Sequence, residues 1–247
     1  MTAPPGWPYP FWIAHRGAGT LAPENTLAAF RLGRSLGWRM AECDVTLSAD
    51  GVAFLLHDAD LDRTTDGRGP AQRQDWAALA ALDAGRWHSP AHAGERLPTL
   101  AALAAYARAS GLLLNLELKP GPDDAARTGR VVAAEAERLW RGTAVPPLLS
   151  SFEIGALQAA RAAAPALPRA LLLEVPGPGW REQALALGCA AVVVEQSQIT
   201  PATIAAAHAA GLRVLAYTVN GADEAERLRA AGVDGLISDA LDRFDPH

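Results

Sequence analysis

Glu42 and Asp44 lie two apart in the apolar run Met40–Leu47, and Asn115, Glu117 and Lys119 repeat that spacing along Leu112–Leu118 and its exit. Side chains alternate across a strand, so each set projects to one face if these runs are strands. Three carboxylates on inward faces would repel one another unless neutralised. A hard divalent cation, Mg²⁺ or Ca²⁺, takes oxygen ligands of this kind, whereas zinc usually asks for several His or Cys. Internal salt bridges with Arg16 and Lys119 are the plainer account of any single acidic pair. Three acids on adjacent strands favour the metal.

Histidines stand at the ends of two further runs. Phe11–Ala14 leads into His15-Arg16, and Val52–His57 ends in His57-Asp58. Two imidazoles beside a divalent ion suit a general acid and a general base, because their ordinary pKa of about 6.5 lies near working pH. Arg16 and Lys119 add fixed positive charge. Together with the cation they suit the holding of a phosphate diester and the stabilisation of charge on its oxygens.

These residues need elements to bring them together. Strand-like runs are Phe11–Ala14, Met40–Leu47, Leu112–Leu118, Pro147–Ser151, Arg169–Leu173, Ala190–Val194, Arg213–Thr218 and Gly235–Ser238. Helical patterns fall between most of them: a helix opened by Pro23-Glu24-Asn25-Thr26 and stopped near Gly37, another from about Thr99, then Asp123–Arg141, Glu153–Ala164, Trp180–Leu187, Thr200–Ala210 and Ala222–Ala231. Asn25 or Thr26 is the expected cap of the first. Eight such units in this length predict an α/β fold, a (β/α)8 TIM barrel, with active residues at the C-terminal ends of its strands. Val52–His57 follows Met40–Leu47 across Asp50-Gly51, a strong turn signal, so a β-hairpin is expected after strand two, with His57 roughly opposite Asp44. Residues 59–98 hold scattered glycines and prolines and one short helical stretch around Asp75–Leu82, and read as a small insertion on the barrel rim within one catalytic domain spanning 1–247.

Composition narrows the class. The chain has 247 residues, half of them hydrophobic, with 22 Lys and Arg against 27 Asp and Glu for a net charge of −5. That core capacity excludes disorder, and the net charge argues against a nucleic-acid partner. Two cysteines exclude a disulfide scaffold. The longest apolar run, Leu100 to Ala107, is far short of the roughly 18 residues of a membrane segment. MTAPPGWPYPFW reads as no signal peptide, so a cytoplasmic location is expected.

The motifs in order, His15-Arg16-Gly17, Pro23-Glu24-Asn25-Thr26, Glu42-x-Asp44, Asp50-Gly51, His57-Asp58-x-x-Leu61-x-Arg63-Thr64-Thr65, Asn115-Leu116-Glu117-Leu118-Lys119, Ser150-Ser151-Phe152, Tyr217-Thr218-Val219-Asn220 and Asp234–Asp239, resemble those of the glycerophosphodiester phosphodiesterases from about Ala14 to Asp239. The resemblance implies a divalent-cation-dependent TIM barrel that hydrolyses small glycerophosphodiesters to sn-glycerol 3-phosphate and an alcohol. It implies Glu42, Asp44 and Glu117 as metal ligands, His15 and His57 as the acid–base pair, and Arg16 and Lys119 as phosphate contacts. Phe152 and Tyr217 are candidate substrate contacts, Tyr217 standing where the family often has Trp. Cys43, where the family usually has an aliphatic residue, is expected to be buried and inert.

A phospholipase D-like or lysophospholipase D-like phosphodiesterase on the same barrel is the alternative. An apolar rim around the insertion would favour it, and Trp76, Leu79, Leu82 and Trp87 are the apolar residues there. A binding module and a barrel aldolase are weaker rivals. The first would have lost a ligand or a histidine, and the second gives Arg16 no task. His88 and His92 are separated by Ser89 and Pro90 and read as loop residues, and His208 reads as a surface residue of an outer helix.

Overall fold

A computed structural model describes residues 6–246. The described strands are β1 (Trp12–Ala14), β2 (Met40–Leu47), β3 (Ala53–Leu55), β4 (Leu113–Leu118), β5 (Leu148–Ser151), β6 (Arg169–Leu173), β7 (Ala191–Glu195), β8 (Arg213–Tyr217) and β9 (Gly235–Ser238). The described helices are α1 (Leu27–Ser35), α2 (Trp76–Leu79), α3 (Leu100–Ser110), α4 (Ala125–Leu139), α5 (Ile154–Ala163), α6 (Trp180–Ala186), α7 (Pro201–Ala209) and α8 (Ala222–Ala231). Apart from β3 every strand pairs in parallel, and β1 joins both β9 and β2, which closes an eight-stranded (β/α)8 barrel.

The strands alternate between two apolar environments. Ala41, Cys43, Val45 and Leu47 of β2 face outward into the layer shared with the helices, together with Leu103, Val132 and Leu157. The inward residues Met40, Ile13, Leu148, Ala170, Val193, Leu215 and Ile237 fill the lower barrel, and Trp7 and Tyr9 pack beneath them. Tyr9 Oη donates to Pro146 O at 2.9 Å, which satisfies the hydroxyl of that plug. Higher in the barrel the inward positions turn polar. Glu42 is in register with Asn115, and Asp44 with Glu117, which in turn faces Ser150 of β5.

Local signals account for most element ends. Thr26 Oγ1 accepts from Ala29 N at 3.3 Å and caps α1, a bond typically worth about 1 kcal/mol. Asn25 does not cap. It stands at φ 58 and its side chain turns away from the helix toward Asp44. The hairpin forms as expected: Gly51 takes φ 87 and Ser48 Oγ accepts from Val52 N at 2.9 Å. β1 pairs with β2 only through Ala14 and Ala41, so the rest of that edge is open, and β3 pairs antiparallel along it at Val45–Leu47. Leu56 N bonds Asp44 O, which puts His57 one residue beyond the position opposite Asp44.

The stretch 59–98 folds over the hairpin. Leu61, Ala71, Leu79, Ala84 and Leu97 form an apolar cluster with Phe54 and Leu56, and Trp76 and Leu82 pack on it. The helix expected around Asp75–Leu82 is only the single turn α2. Of the large apolar residues there, only Trp87 is exposed, at 40 %. The rest pack inward and offer no apolar rim.

Candidate active site

Both ends of β2 and β4 are set by barrel register, so Asp44 and Glu117 arrive side by side, with Glu42 one layer below. Glu42, Asp44 and Glu117 present ligand oxygens within 4.8 Å of one another. All three are almost wholly buried, and such charges need a partner. Glu42 Oε1 and Asn115 Oδ1 are buried with no hydrogen-bond partner among the described residues. Orphaned oxygens pointing into an acidic cage fit a hard cation, and this all-oxygen donor set suits Mg²⁺ or Ca²⁺.

Electrostatics tell the same story. Burial, reinforced by the Asp44 and Glu117 charges, pushes the Glu42 carboxyl well above the usual range. Burial and Asp44 push Glu117 up to about 7. Burial also opposes ionisation of Asp44, but the charges of Arg16, His57 and Lys119 and the Asn25 amide outweigh it and hold this carboxyl low. The protein's own cations therefore neutralise one acid of the three. The salt bridges that were the plainer account of any single acidic pair also form. Lys119 Nζ lies 3.0 Å from Glu117 Oε1 and 3.8 Å from Asp44 Oδ1, and Arg16 Nε lies 3.4 Å from Asp44 Oδ2.

The two histidines share one design. His15 Nδ1 meets Asp239 Oδ1 at 2.6 Å, and His57 Nδ1 meets Asp58 Oδ1 at 2.6 Å. Each ring keeps only Nε2 for proton exchange, and that of His15 is 3.8 Å from Glu42 Oε2. Burial lowers the pKa of the His57 ring against the pull of Asp44. Asp239 is itself held by Asn220, whose Oδ1 accepts from Asp239 N at 2.8 Å. Gly19 makes room for this arrangement: it has φ +56, and a Cβ there would fall 2.0 Å from Asp239 O.

The structure brings His15, Arg16, Glu42, Asp44, His57, Glu117 and Lys119 to one mouth. His57, Glu117, Lys119 and Phe152 line a chamber of about 240 Å³ there. Phe152 is 40 % exposed, and its ring meets that of Tyr217 edge-on at 5.9 Å. His88 and His92 lie outside this mouth. His88 Nε2 bonds Thr20 O at 3.1 Å and so ties the 59–98 stretch to the β1–α1 loop, a structural contact where a free loop residue was expected. His208 is exposed on the outer helix α7, as expected, and meets Asp234 at 2.8 Å.

Sequence reasoning gave Asn25 only a capping role, and Glu24 and Arg63 none, yet these residues hold the set in place. Asn25 Nδ2 donates to Asp44 Oδ2 at 2.8 Å, and its Oδ1 accepts from Asp44 N at 3.1 Å. Arg63 reaches Asp58 at 2.6 Å and Glu24 at 2.7 Å, while Glu24 also accepts from Arg16 at 2.8 Å. One guanidinium thus joins the partner of His57 to the partner of Arg16. The Arg63 bonds hold the Asp58 carboxyl far below its usual range. The signal for these residues was their place in the motifs quoted above, because strand alternation says nothing about loops.

Comparison with known proteins agrees with this geometry. The model of the "Glycerophosphoryl diester phosphodiesterase family" matches residues 15–243. YhdW of Bacillus subtilis is 36% identical over 235 residues, covering 93% of this chain and 94% of its own. The glycerophosphodiester phosphodiesterase of Caldanaerobacter subterraneus is 31% identical over 233 residues, covering 92% and 93%. A phosphodiesterase of Oleispira antarctica, solved with the product sn-glycerol-3-phosphate, matches with a TM-score of 0.88 at 36% identity over 94% of each chain. On sequence, fold and the placement of the motif residues, this chain belongs to the glycerophosphoryl diester phosphodiesterase family.

Proposed function

We propose that the protein hydrolyses glycerophosphodiesters to sn-glycerol 3-phosphate and an alcohol with the help of a divalent cation. The observation that carries this reading is the convergence of three buried carboxylates, within 4.8 Å of one another, beside two carboxylate-paired histidines at one barrel mouth. The Oleispira relative with its bound glycerol phosphate supports the same product. Glu42, Asp44 and Glu117 hold the cation, which when bound supplies positive charge to the phosphoryl oxygens. Arg16 and Lys119 clamp the same phosphate and stabilise the charge that builds on it.

The histidines move the protons. The nucleophile is water, or the 2-hydroxyl of the substrate's own glycerol, which would give a cyclic phosphate that water opens in a second step; in either case one Nε2 takes the proton of the attacking hydroxyl. The other Nε2 gives a proton to the departing alkoxide oxygen as the P–O bond breaks. His57 lines the mouth chamber, where a leaving group has room, so we assign it the departing oxygen and His15 the nucleophile. Asp239 and Asp58 keep each ring in the tautomer the exchange requires.

The test is turnover of a panel of glycerophosphodiesters by chelator-stripped protein, with Mg²⁺ or Ca²⁺ then restored. We expect no glycerol 3-phosphate without metal and recovery with at least one of the two. Undiminished turnover in chelator would overturn the metal reading, and a phosphoalcohol product in place of glycerol 3-phosphate would overturn the assigned bond.

A further inference from the structure

We propose that the departing alcohol occupies a second chamber outside the mouth, and that its lining selects a polyhydroxylated alcohol over one without free hydroxyls. This rests on the hydrolytic reading above and adds the class of leaving group.

Beside the mouth chamber lies a larger cavity of about 520 Å³ between the 59–98 stretch and the β4–α4 loop. The two share Ala59 and Gln72 in their walls, so they adjoin. Together they are of the size that holds small metabolites. The outer cavity is lined by no metal-ligand candidate and no histidine, so it has no part in the phosphoryl chemistry.

Gln72 forms the sill between the chambers. Its Nε2 donates to Thr46 Oγ1 at 2.7 Å, near the C-terminal end of β2. Its Oε1 lies over the backbone of Gly121, where a Cβ would fall 1.4 Å from it. Any larger residue at 121 would displace the Gln72 amide, so these two residues set the width of the passage.

The outer wall has the chemistry of hydroxyl recognition. The carboxylates of Asp60 and Asp123 and the guanidinium of Arg73 line it, and none of the three has a side-chain hydrogen bond or ion pair among the described residues. Arg127, by contrast, is taken up by Asp124 and Ala49 O. Unused acceptors and an unused planar donor facing one space suit vicinal hydroxyls, which both donate and accept. A quaternary ammonium is recognised chiefly over aromatic faces, and no aromatic ring lines this cavity.

The experiment compares kcat/KM for three glycerophosphodiesters whose leaving groups are inositol, choline and methanol. We expect the inositol diester to exceed the methanol diester at least tenfold. Asp60→Asn combined with Arg73→Gln, both at exposed positions, should cut the inositol-to-methanol ratio at least tenfold. Gly121→Ala should move that ratio the same way by displacing Gln72. Equal or faster hydrolysis of the methanol diester, or variants that slow all three substrates alike, would overturn the subsite while leaving the hydrolytic reading intact. Should no diester release glycerol phosphate, the hydrolytic reading fails by itself. The subsite is then decided by calorimetric affinities of the same diesters: tighter binding of the inositol diester, weakened in the double variant, supports it, and equal affinities overturn it.

Discussion

Each histidine here is useful because of what its other nitrogen does. Nδ1 of His15 and of His57 is engaged at 2.6 Å by a carboxylate, which fixes ring orientation and leaves Nε2 for chemistry. Positioned acid–base groups contribute about 10²–10⁴ in rate, so His15→Ala and His57→Ala should each lose that much kcat on alkyl diesters while remaining folded. The two should part on a diester with a p-nitrophenol leaving group, whose anion departs without a proton. His57→Ala should then lose no more than roughly tenfold, and His15→Ala should stay fully impaired. Steady-state rates on the two substrates check this, and equal losses on both would reverse or remove the assignment of His57. Asn25 carries a lesson at the same scale. It was expected to compete for a helix cap, but Thr26 makes that bond, and the Asn25 amide instead grips Asp44 from both sides.

Between elements, the decisive contact is the bridge from the 59–98 stretch to the β1–α1 loop. Arg63 contacts Asp58 and Glu24, and Glu24 contacts Arg16, so one side chain links the settings of His57 and Arg16. The side chain of Arg63 is 44% exposed, and exposed ion pairs contribute little to stability. Its loss should therefore appear in rate and not in folding. Arg63→Gln is expected to lower kcat by about 10- to 100-fold, the range seen when groups that orient site residues are removed, with the thermal midpoint nearly unmoved. Paired kinetics and thermal melts test this, and an unchanged kcat would show that Asp58 and Glu24 hold their partners unaided. Elsewhere, sequence patterns located the hairpin and the cores of the helices, with ends within a residue or two, as in α5 (Ile154–Ala163) against the expected 153–164. The pattern overextended around α2, because alanine-rich composition there favours a helix that Pro- and Gly-rich surroundings allow for only one turn.

At the scale of the molecule, the barrel stacks an apolar plug beneath an acidic mouth, and the mouth is the unstable part. Glu117 ionises at an ordinary 4.5 in the unfolded chain and at about 7 in the native one. Between those values the unfolded chain has released a proton that the native chain keeps, so the native state binds more protons. Stability from this group is thus whole below pH 4.5 and is lost as pH rises toward 7. Glu42 is shifted in the same direction. A divalent cation that replaces those protons should bind and stabilise more strongly as pH rises. The increase in melting temperature caused by Mg²⁺ or Ca²⁺ is expected to be larger at pH 8 than at pH 5, by differential scanning fluorimetry on stripped protein. An increase that is equal at both values would mean the cation does not displace protons from these carboxyls.

What the sequence determined by itself is whatever repeats locally. The period-two spacing of Glu42 with Asp44 and of Asn115, Glu117 and Lys119 set them on common faces, the strand–helix alternation set the barrel, and barrel geometry set the mouth where they meet. Tertiary structure alone decided the contacts that join distant loops: Asn25 with Asp44, Arg63 with Glu24, Asp239 with His15 across 224 positions, and Gln72 laid over Gly121. Such pairs follow no period. They depend on the direction in which an irregular loop leaves its strand, and that direction is settled only once the closed barrel and the packed 59–98 stretch leave the loop a single place to go.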